Sequence, residues 1–220
     1  MIRLRLLVAG ALAAIAVLGG GCSSADDWSA PHTKPSAIGT LGPGFVTASP
    51  TPEATVTPGP GSWDGVRPSP GYRVVLLTAG DDPQTTALVR AVTDWAGSEE
   101  VSLKTVKATK PDELVPSVSQ AIGLAPDLVI SAGHDLIDPL ALVTANHLDR
   151  QFLVIGAELA EPTANVTAAD WTGASFRGEG LGMSSTYDPA SFTPERCAAA
   201  VRAGVASVLN GLTGIVVWVR

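Results

Sequence analysis

The feature that most constrains this chain is the regular alternation of apolar, strand-like runs and amphipathic, helix-like segments from residue 72 onward. Residues 73–78 are almost continuously apolar, which is typical of a strand buried on both faces. Further strands are predicted at residues 101–106, 127–131, 151–156, 166–171 and 214–219. Strands that alternate with helices in this way predict one doubly wound, mainly parallel α/β sheet of about six strands, with helices on both faces and a flavodoxin-like order.

Four helices are predicted between these strands. Asp82 and Pro83 have the residue types preferred at the N-cap and the first position of a helix. The second helix, within residues 112–124, has to begin late or bend because of Pro116. The last helix covers residues 193–209. The third helix is predicted at 136–148, and its expected buried side consists of Leu140, Val143, Ala145 and Leu148.

The first 21 residues have the three parts of a secretory signal peptide: two arginines, an apolar run at 6–18 and three glycines. The apolar run is short for a transmembrane helix, which needs about 20 apolar residues, so an uncleaved anchor helix is the less favoured interpretation. Small residues directly before Cys22 resemble a lipobox, although Leu18 stands one position earlier than the usual pattern has it. We therefore predict cleavage before Cys22, acylation of its thiol, and attachment to the outer face of the cell membrane by lipid.

Residues 22–71 differ in composition from the rest of the chain. They are rich in Pro, Ser, Thr and Gly and contain no apolar run, a composition typical of segments that stay disordered. This pattern predicts a semi-extended stalk that holds a domain of residues 72–220 away from the membrane. The segment contains three scattered aromatic residues, Trp28, Phe45 and Trp63. They could be docking points, but we prefer the interpretation that they are incidental.

Charge and cysteine content exclude several classes of function. A net charge of −7, without a basic stripe, argues against nucleic-acid binding. With Cys22 acylated, Cys197 has no partner for a disulfide, and we interpret it as a small buried hydrophobic residue. The histidines lack the spacing of metal ligands, and no nucleophile is paired with a base. We therefore predict no metal, no cofactor, no catalytic residue and no enzymatic activity; an extracytoplasmic hydrolase is the least favoured alternative.

Ligands of open parallel sheets bind beyond the carboxyl ends of the strands. Seven residues at these ends are candidates for ligand binding: Asp81, Asp82, Gly133, His134, Asp135, Glu158 and Trp171. Three of them have simpler explanations as well. Asp82 is also a suitable N-cap, His134 is also an ordinary polar loop residue, and Glu158 is also a solvated turn residue.

Several short motifs resemble the basic membrane protein (BMP, or Med-like) family of substrate-binding lipoproteins of ABC transporters. The similar segments are residues 126–134, 152–156 and 165–167, preceded by the strand and acidic loop at 78–82. The resemblance covers about residues 73–176. It implies a periplasmic-binding-protein-like lobe and a nucleoside-like ligand, with Asp81 and Asp82 at the family's acidic positions.

Two features of this chain depart from the family pattern. Family members have two lobes, whereas residues 72–220 have room for one. The acidic loop of the family often continues with an aromatic residue near the base, whereas here it continues Pro83-Gln84-Thr85. Base stacking from that loop is therefore not expected.

These observations support two hypotheses of function. The resemblance implies a lipid-anchored protein that binds a nucleoside or another small polar solute, with a transporter permease, a second lobe or a dimer mate as partner. The alternative is an interaction lipoprotein whose single lobe docks a protein and binds no small ligand. A polar pocket lined by Asp81, His134 and Trp171 indicates the first hypothesis, and a flat or apolar surface there indicates the second.

Overall fold

A computed structural model describes residues 27–46 and 49–220. The predicted signal peptide of residues 1–21 and the predicted lipidation site at Cys22 therefore lie outside the described residues. Within the described part of the chain, no helix is both long and apolar enough to cross a bilayer.

The main sheet contains seven parallel strands, in the order β2-β9-β8-β7-β6-β4-β5. β1 and β3 form a separate antiparallel pair. The order reverses between β4 and β6, which makes this pair the switch point of the sheet. The strands are β1 (Ala37–Ile38), β2 (Thr55–Val56), β3 (Arg67–Pro68), β4 (Arg73–Ala79), β5 (Ser102–Ala108), β6 (Leu128–Ala132), β7 (Phe152–Ile155), β8 (Val166–Asp170) and β9 (Val216–Trp218).

Helices cover both faces of the sheet. They are α1 (Pro83–Ser98), α2 (Leu114–Gly123), α3 (Ile137–Val143) and α4 (Pro194–Leu209). Alternate side chains of the strands point to opposite faces, so α1 and α4 bury one set and α2 and α3 bury the other. Leu76 and Leu153 belong to the first cluster, and Leu77 and Val154 belong to the second. The predicted doubly wound, mainly parallel α/β fold is confirmed.

Local signals in the sequence set the starts of three helices. Asp82 caps α1 by accepting hydrogen bonds from the backbone N–H groups of Gln84 and Thr85, at 3.0 and 2.9 Å. The Thr193 hydroxyl accepts a bond of 3.3 Å from Arg196 N at the start of α4. Pro116 lies in the first turn of α2, where a missing N–H costs little, because the helix begins only at Leu114.

The third helix is shorter than predicted. α3 ends at Val143 and continues as a 3-10 turn over Thr144–Asn146, so the chain leaves helical geometry before Leu148. The prediction that Ala145 and Leu148 are buried is wrong: Ala145 is exposed, and Leu148 is 61% exposed. The cause is a distant side chain. The Asn165 amide donates hydrogen bonds to the carbonyl groups that follow the helix, those of Thr144, His147 and Arg150.

The prediction of a disordered stalk is wrong for the described residues of the segment 27–71, which we call the N-terminal arm. Phe45 and Trp63 are 1% and 5% exposed and belong to the core cluster beneath α1 and α4. Trp28 is 8% exposed and belongs to the cluster on the other face. β2 joins the main sheet as the edge strand beside β9. The reason is that each large aromatic side chain buries about 150–250 Å², enough to fix a chain that is otherwise polar.

Candidate functional site

The switch point of the sheet ends in two glycine turns. Gly80 follows β4 and has φ +74°, and Gly133 follows β6 and has φ +88°. Both lie in the left-handed region, which glycine adopts without strain. A Cβ atom at Gly133 would lie 2.9 Å from Thr85 Oγ1. Gly133, a predicted ligand-binding residue, is therefore placed to allow α1 to approach the turn closely.

Two carboxylates and an imidazole lie together at this edge of the sheet. A Cβ atom at Gly80 would lie 2.9 Å from Asp135 Oδ2 and 3.6 Å from Asp82 Oδ2, so both carboxylates flank the same turn. His134 Nε2 is 3.2 Å from Asp135 Oδ1, and the side chains of His134 and Asp135 are 37% and 42% exposed. Three of the predicted ligand-binding residues therefore converge here, with surface left for solvent or solute.

The Asp82 carboxyl contributes negative charge to this edge. Partial burial acts to raise the pKa of the Asp82 carboxyl, but hydrogen bonds from Thr85 and Gln84 outweigh it and lower the pKa below its usual value. Asp82 is therefore a carboxylate at neutral pH. This edge presents negative charge and hydrogen-bond acceptors to whatever binds there.

Aromatic side chains border the acidic groups. The His134 ring centroid is 5.4 Å from that of Phe176 and 6.1 Å from that of Tyr187. The pKa of the Tyr187 phenol is raised by partial burial and by the charges of Asp82 and Asp135. We call the five side chains at this edge the edge cluster: Asp82, His134, Asp135, Phe176 and Tyr187.

Asp81 and Trp171 are placed differently from the edge cluster. The Asp81 side chain is 86% exposed and forms an ion pair with Lys107 of β5. Trp171 has no exposed surface: its indole N–H donates a 3.0 Å hydrogen bond to Ser191 Oγ, and its ring packs edge-on against Phe192. The predicted pocket lined by Asp81, His134 and Trp171 is therefore not present in this form, because the indole offers no surface to a ligand.

Glu158, expected to be either solvated or ligand-binding, is 5% exposed. Its Oε1 accepts a 3.0 Å hydrogen bond from Ser184 and lies 3.1 Å from Arg177 Nε. Burial raises the pKa of the Glu158 carboxyl, and the contacts with Ser184 and Arg177 oppose that effect. Glu158 therefore fastens the loop of residues 171–193 to the end of β7.

Asp170, the last residue of β8, holds the same loop from inside. Its Oδ1 accepts hydrogen bonds from Trp171 N at 2.8 Å and Ser175 N at 3.0 Å, while its Oδ2 has no partner among the described residues. Burial raises the pKa of Asp170 to about 7, those two hydrogen bonds oppose the rise, and the charge of Glu158 adds to it. The loop that carries Phe176 and Tyr187 is thus fixed by two buried carboxyl groups.

Sequence reasoning missed Asp170, Phe176 and Tyr187. The sequence does contain a signal for Asp170, because this acidic residue ends a buried strand and directly precedes Trp171, which was predicted to bind ligand. Phe176 and Tyr187 are isolated aromatic residues in a loop of Gly and Ser. Such residues carry no local signal, because their place beside His134 depends on how the loop folds back.

Nothing in the described residues indicates metal or thiol chemistry. In residues 27–46 and 49–220, no group of three or more His, Cys, Asp or Glu side chains is close enough to hold a metal ion. Cys197 is buried, as predicted, and burial raises the pKa of its thiol to about 11. A thiol with this pKa is protonated at neutral pH and is a poor nucleophile.

No protein-family model and no curated protein matches this chain. Solved structures of similar fold include an ABC transporter solute-binding protein from Aeropyrum pernix K1, with 16% identity and a TM-score of 0.41 over 46% of this chain and 29% of that one. A fragment of a candidate lipoprotein from Peptoclostridium difficile 630 has 14% identity and a TM-score of 0.45, over 64% of this chain and 99% of that one. An ABC transporter solute-binding protein from Bradyrhizobium sp. BTAi1, solved with bis-tris, has 13% identity and a TM-score of 0.31, over 87% of this chain and 60% of that one.

These likenesses concern the fold and assign no ligand. The matched region spans less than a third of the length of the Aeropyrum protein.

Proposed function

We propose that this chain is a lipid-anchored, extracytoplasmic binding lobe whose edge cluster holds a small polar solute with hydroxyl groups and a planar ring, such as a nucleoside. The observation that carries the proposal is the convergence of the Asp82 and Asp135 carboxylates with the rings of His134 and Tyr187 at the switch point of the sheet. Open parallel sheets bind their ligands at this position.

The chemistry of the edge cluster suits such a solute. Carboxylate oxygens accept hydrogen bonds from neighbouring hydroxyl groups, as a ribose would present them. The rings of Tyr187 and Phe176 are partly exposed beside His134, and their exposed parts would contact a planar ring. These aromatic residues come from the loop after β8 and would replace the stacking that the acidic loop after β4 lacks. Negative charge at the cluster favours neutral or cationic solutes over phosphorylated ones.

A single lobe leaves one side of a bound solute open, whereas small-ligand sites usually enclose most of the ligand surface. We therefore propose a facing surface, supplied by a transporter permease, a second lobe or a dimer mate. The loop that carries Tyr187 also exposes Leu181 and Met183, which are 53% and 43% exposed. These side chains offer apolar area to a facing surface. Membership of the BMP family and acylation of Cys22 remain predictions from the sequence.

A second candidate function rests on a different surface. A groove of about 570 Å³ runs between α1 and α4. Its lining is mainly apolar and includes Ala87, Ala91, Trp95 and Ala198, with the charged Arg90, Asp94 and Arg202 also lining it. An apolar groove of this kind favours the alternative of an interaction lipoprotein that docks a protein partner. The groove lies along the helices, so occupation of the groove and of the edge cluster are separable by mutation.

The test is a thermal-shift screen against nucleosides, sugars and amino acids, using the chain without its first 22 residues. This form keeps all the described residues, including the N-terminal arm that contributes to both core clusters. A solute at about 100 times its dissociation constant should add about 2.7 kcal/mol to the free energy of unfolding. We expect a shift with nucleosides that Asp135→Ala and His134→Ala each abolish.

The matched control is Asp149→Ala, which removes a 71% exposed carboxylate paired with Arg150, outside both the edge cluster and the groove. We expect this variant to keep the nucleoside shift. If no solute shifts the unfolding temperature of a well-folded chain, or if Asp135→Ala and Asp149→Ala behave alike, the edge cluster is not the binding site. The protein-docking alternative then becomes the better account.

A further inference from the structure

The N-terminal arm is fastened to the amino-terminal edge of the sheet. The Arg73 guanidinium donates hydrogen bonds to the backbone carbonyl groups of Trp28, Asp27 and Ala30, at 3.1, 3.3 and 2.9 Å. The Trp28 indole N–H donates a 2.8 Å bond to Ser102 Oγ, and Lys104 Nζ lies 4.5 Å from the centre of its ring. We call this arrangement the arm clamp.

All the contacts of the arm clamp lie at one end of the sheet. Arg73 and Ser102 are the first residues of β4 and β5. His32 of the arm lies 2.9 Å from Asp127, which directly precedes β6. Because the strands are parallel, this amino-terminal edge lies opposite the edge cluster, about 23 Å away along the seven residues of β4.

The chain between the predicted lipid attachment and the arm clamp is short. Five residue steps separate Cys22 from Asp27. Even a fully extended chain spans at most about 3.6 Å per residue, so this connection reaches about 18 Å. A stalk running to residue 71 would have let the domain stand far from the membrane in any orientation, but the clamp removes almost all of that length.

We propose that the amino-terminal edge of the sheet faces the bilayer, held there by the arm clamp, and that the edge cluster points away from it. The inference rests on the lipid anchor of the proposed function. It means that a partner which takes solute from the edge cluster reaches the lobe on the side away from the bilayer.

The test measures energy transfer from a dye on the full-length acylated protein to a headgroup-labelled lipid in phosphatidylcholine vesicles. One dye is attached at Asp149→Cys, an exposed position just before β7 at the amino-terminal edge. The other is attached at Lys110→Cys, an exposed position just after β5 at the opposite edge. Both variants carry Cys197→Ala, so that each has one free thiol. We expect strong transfer from position 149 and weak transfer from position 110.

Arg73→Ala is the matched variant, because it opens the arm clamp and lengthens the free connection toward residue 36. We expect the difference in transfer between the two positions to shrink in this variant. Equal transfer from both positions in the unaltered arm, or stronger transfer from position 110, overturns the proposed orientation.

A Cys22→Ser form that begins at residue 22, without the predicted signal peptide, separates failure of the orientation from failure of the anchor. We expect this form to leave the vesicles. If the protein binds vesicles equally well with and without Cys22, or if neither form binds, the lipid anchor is contradicted and the inference falls with it. Equal transfer from a protein that does require Cys22 contradicts the orientation alone.

Discussion

The two edges of the sheet differ in how their polar side chains are hydrogen-bonded and exposed. At the amino-terminal edge, Arg73 is 9% exposed and its donors are matched with three backbone carbonyl groups. At the carboxyl-terminal edge, His134 and Asp135 stay more than a third exposed, and Asp170 is buried with an oxygen that has no hydrogen-bond partner in the described chain. Arg73 is thus satisfied by contacts within the chain, whereas His134 and Asp135 keep exposed surface and Asp170 keeps an unpartnered oxygen.

From this difference we infer that stability resides at the amino-terminal edge and that the proposed binding resides at the edge cluster. Groups with complete hydrogen bonding stabilise the folded state, whereas binding sites often keep polar groups that weaken it. We therefore expect substitutions in the N-terminal arm and its clamp to cost stability. Substitutions in the edge cluster should instead cost binding.

The largest expected effect is on Phe45, because the sequence places this residue in a spacer and the structure places it in the core. Phe45→Ala should lower the free energy of unfolding by about 3–4 kcal/mol, the usual cost of deleting a buried aromatic side chain. Urea denaturation followed by circular dichroism measures it. Phe45→Leu should cost less, and the exposed Leu148→Ala should cost almost nothing. A negligible effect of Phe45→Ala would mean that the arm is a loose spacer after all.

Arg73→Ala should have the next largest effect. It leaves the carbonyl groups of Asp27, Trp28 and Ala30 without their donor, and the expected loss is about 2–3 kcal/mol. Limited proteolysis should then cut the chain between residues 27 and 36. Arg90→Ala is the control, since its side chain is 83% exposed and should change stability by less than about 0.5 kcal/mol. Equal losses for the two arginines would contradict the arm clamp.

The carboxyl-terminal edge should respond to pH through Asp170. Its pKa is about 7 in the folded chain, against an ordinary value of 3.8, so the folded state binds the proton more tightly. The protonated form stabilises the fold below about pH 4, and this contribution is lost as pH rises to about 7. Asp170→Asn stays neutral and lacks this pH dependence. As pH rises from 5 to 8, its free energy of unfolding should therefore increase relative to that of the parent by on the order of 2 kcal/mol. A difference in stability that does not change with pH would contradict the buried, neutral Asp170.

The smallest effect on stability should come from the edge cluster itself. Asp135→Ala removes a half-exposed carboxylate, and we expect a change within about 0.5 kcal/mol, together with loss of the nucleoside shift. Calorimetry and the thermal-shift screen measure the two quantities on the same sample. A large loss of stability would show that Asp135 is a structural residue, and the contrast between the two edges would then disappear.

Much of the fold was predictable because its signals are local. Asp82 and Thr193 cap their helices through residues two or three positions away, and the buried strands are short apolar runs. The arm was not predictable in this way. β2 has only two residues, and it pairs with β9 more than 150 positions later in the chain. Composition averages over a segment, so it does not register a few aromatic residues that dock far away in sequence.

The candidate site was also predictable only where its residues directly follow strands. Asp82, His134 and Asp135 follow strand ends, and the parallel sheet brings strand ends together. Trp171 also follows a strand, but Ser191 and Phe192, about 20 residues later, enclose it. Tyr187 comes to the cluster on the same returning loop. Contacts of this kind depend on tertiary packing, which no local pattern reports.

Hydrogen–deuterium exchange of the chain, with and without a nucleoside, tests the contrast between the two edges most directly. Amides of the N-terminal arm such as Gly59 and Ser62, which donate to backbone carbonyl groups, should be protected in both states. Amides of the loop at 171–187 should become better protected only when the nucleoside is present. Rapid exchange throughout residues 27–71, or protection by the nucleoside at the amino-terminal edge instead, would contradict the account.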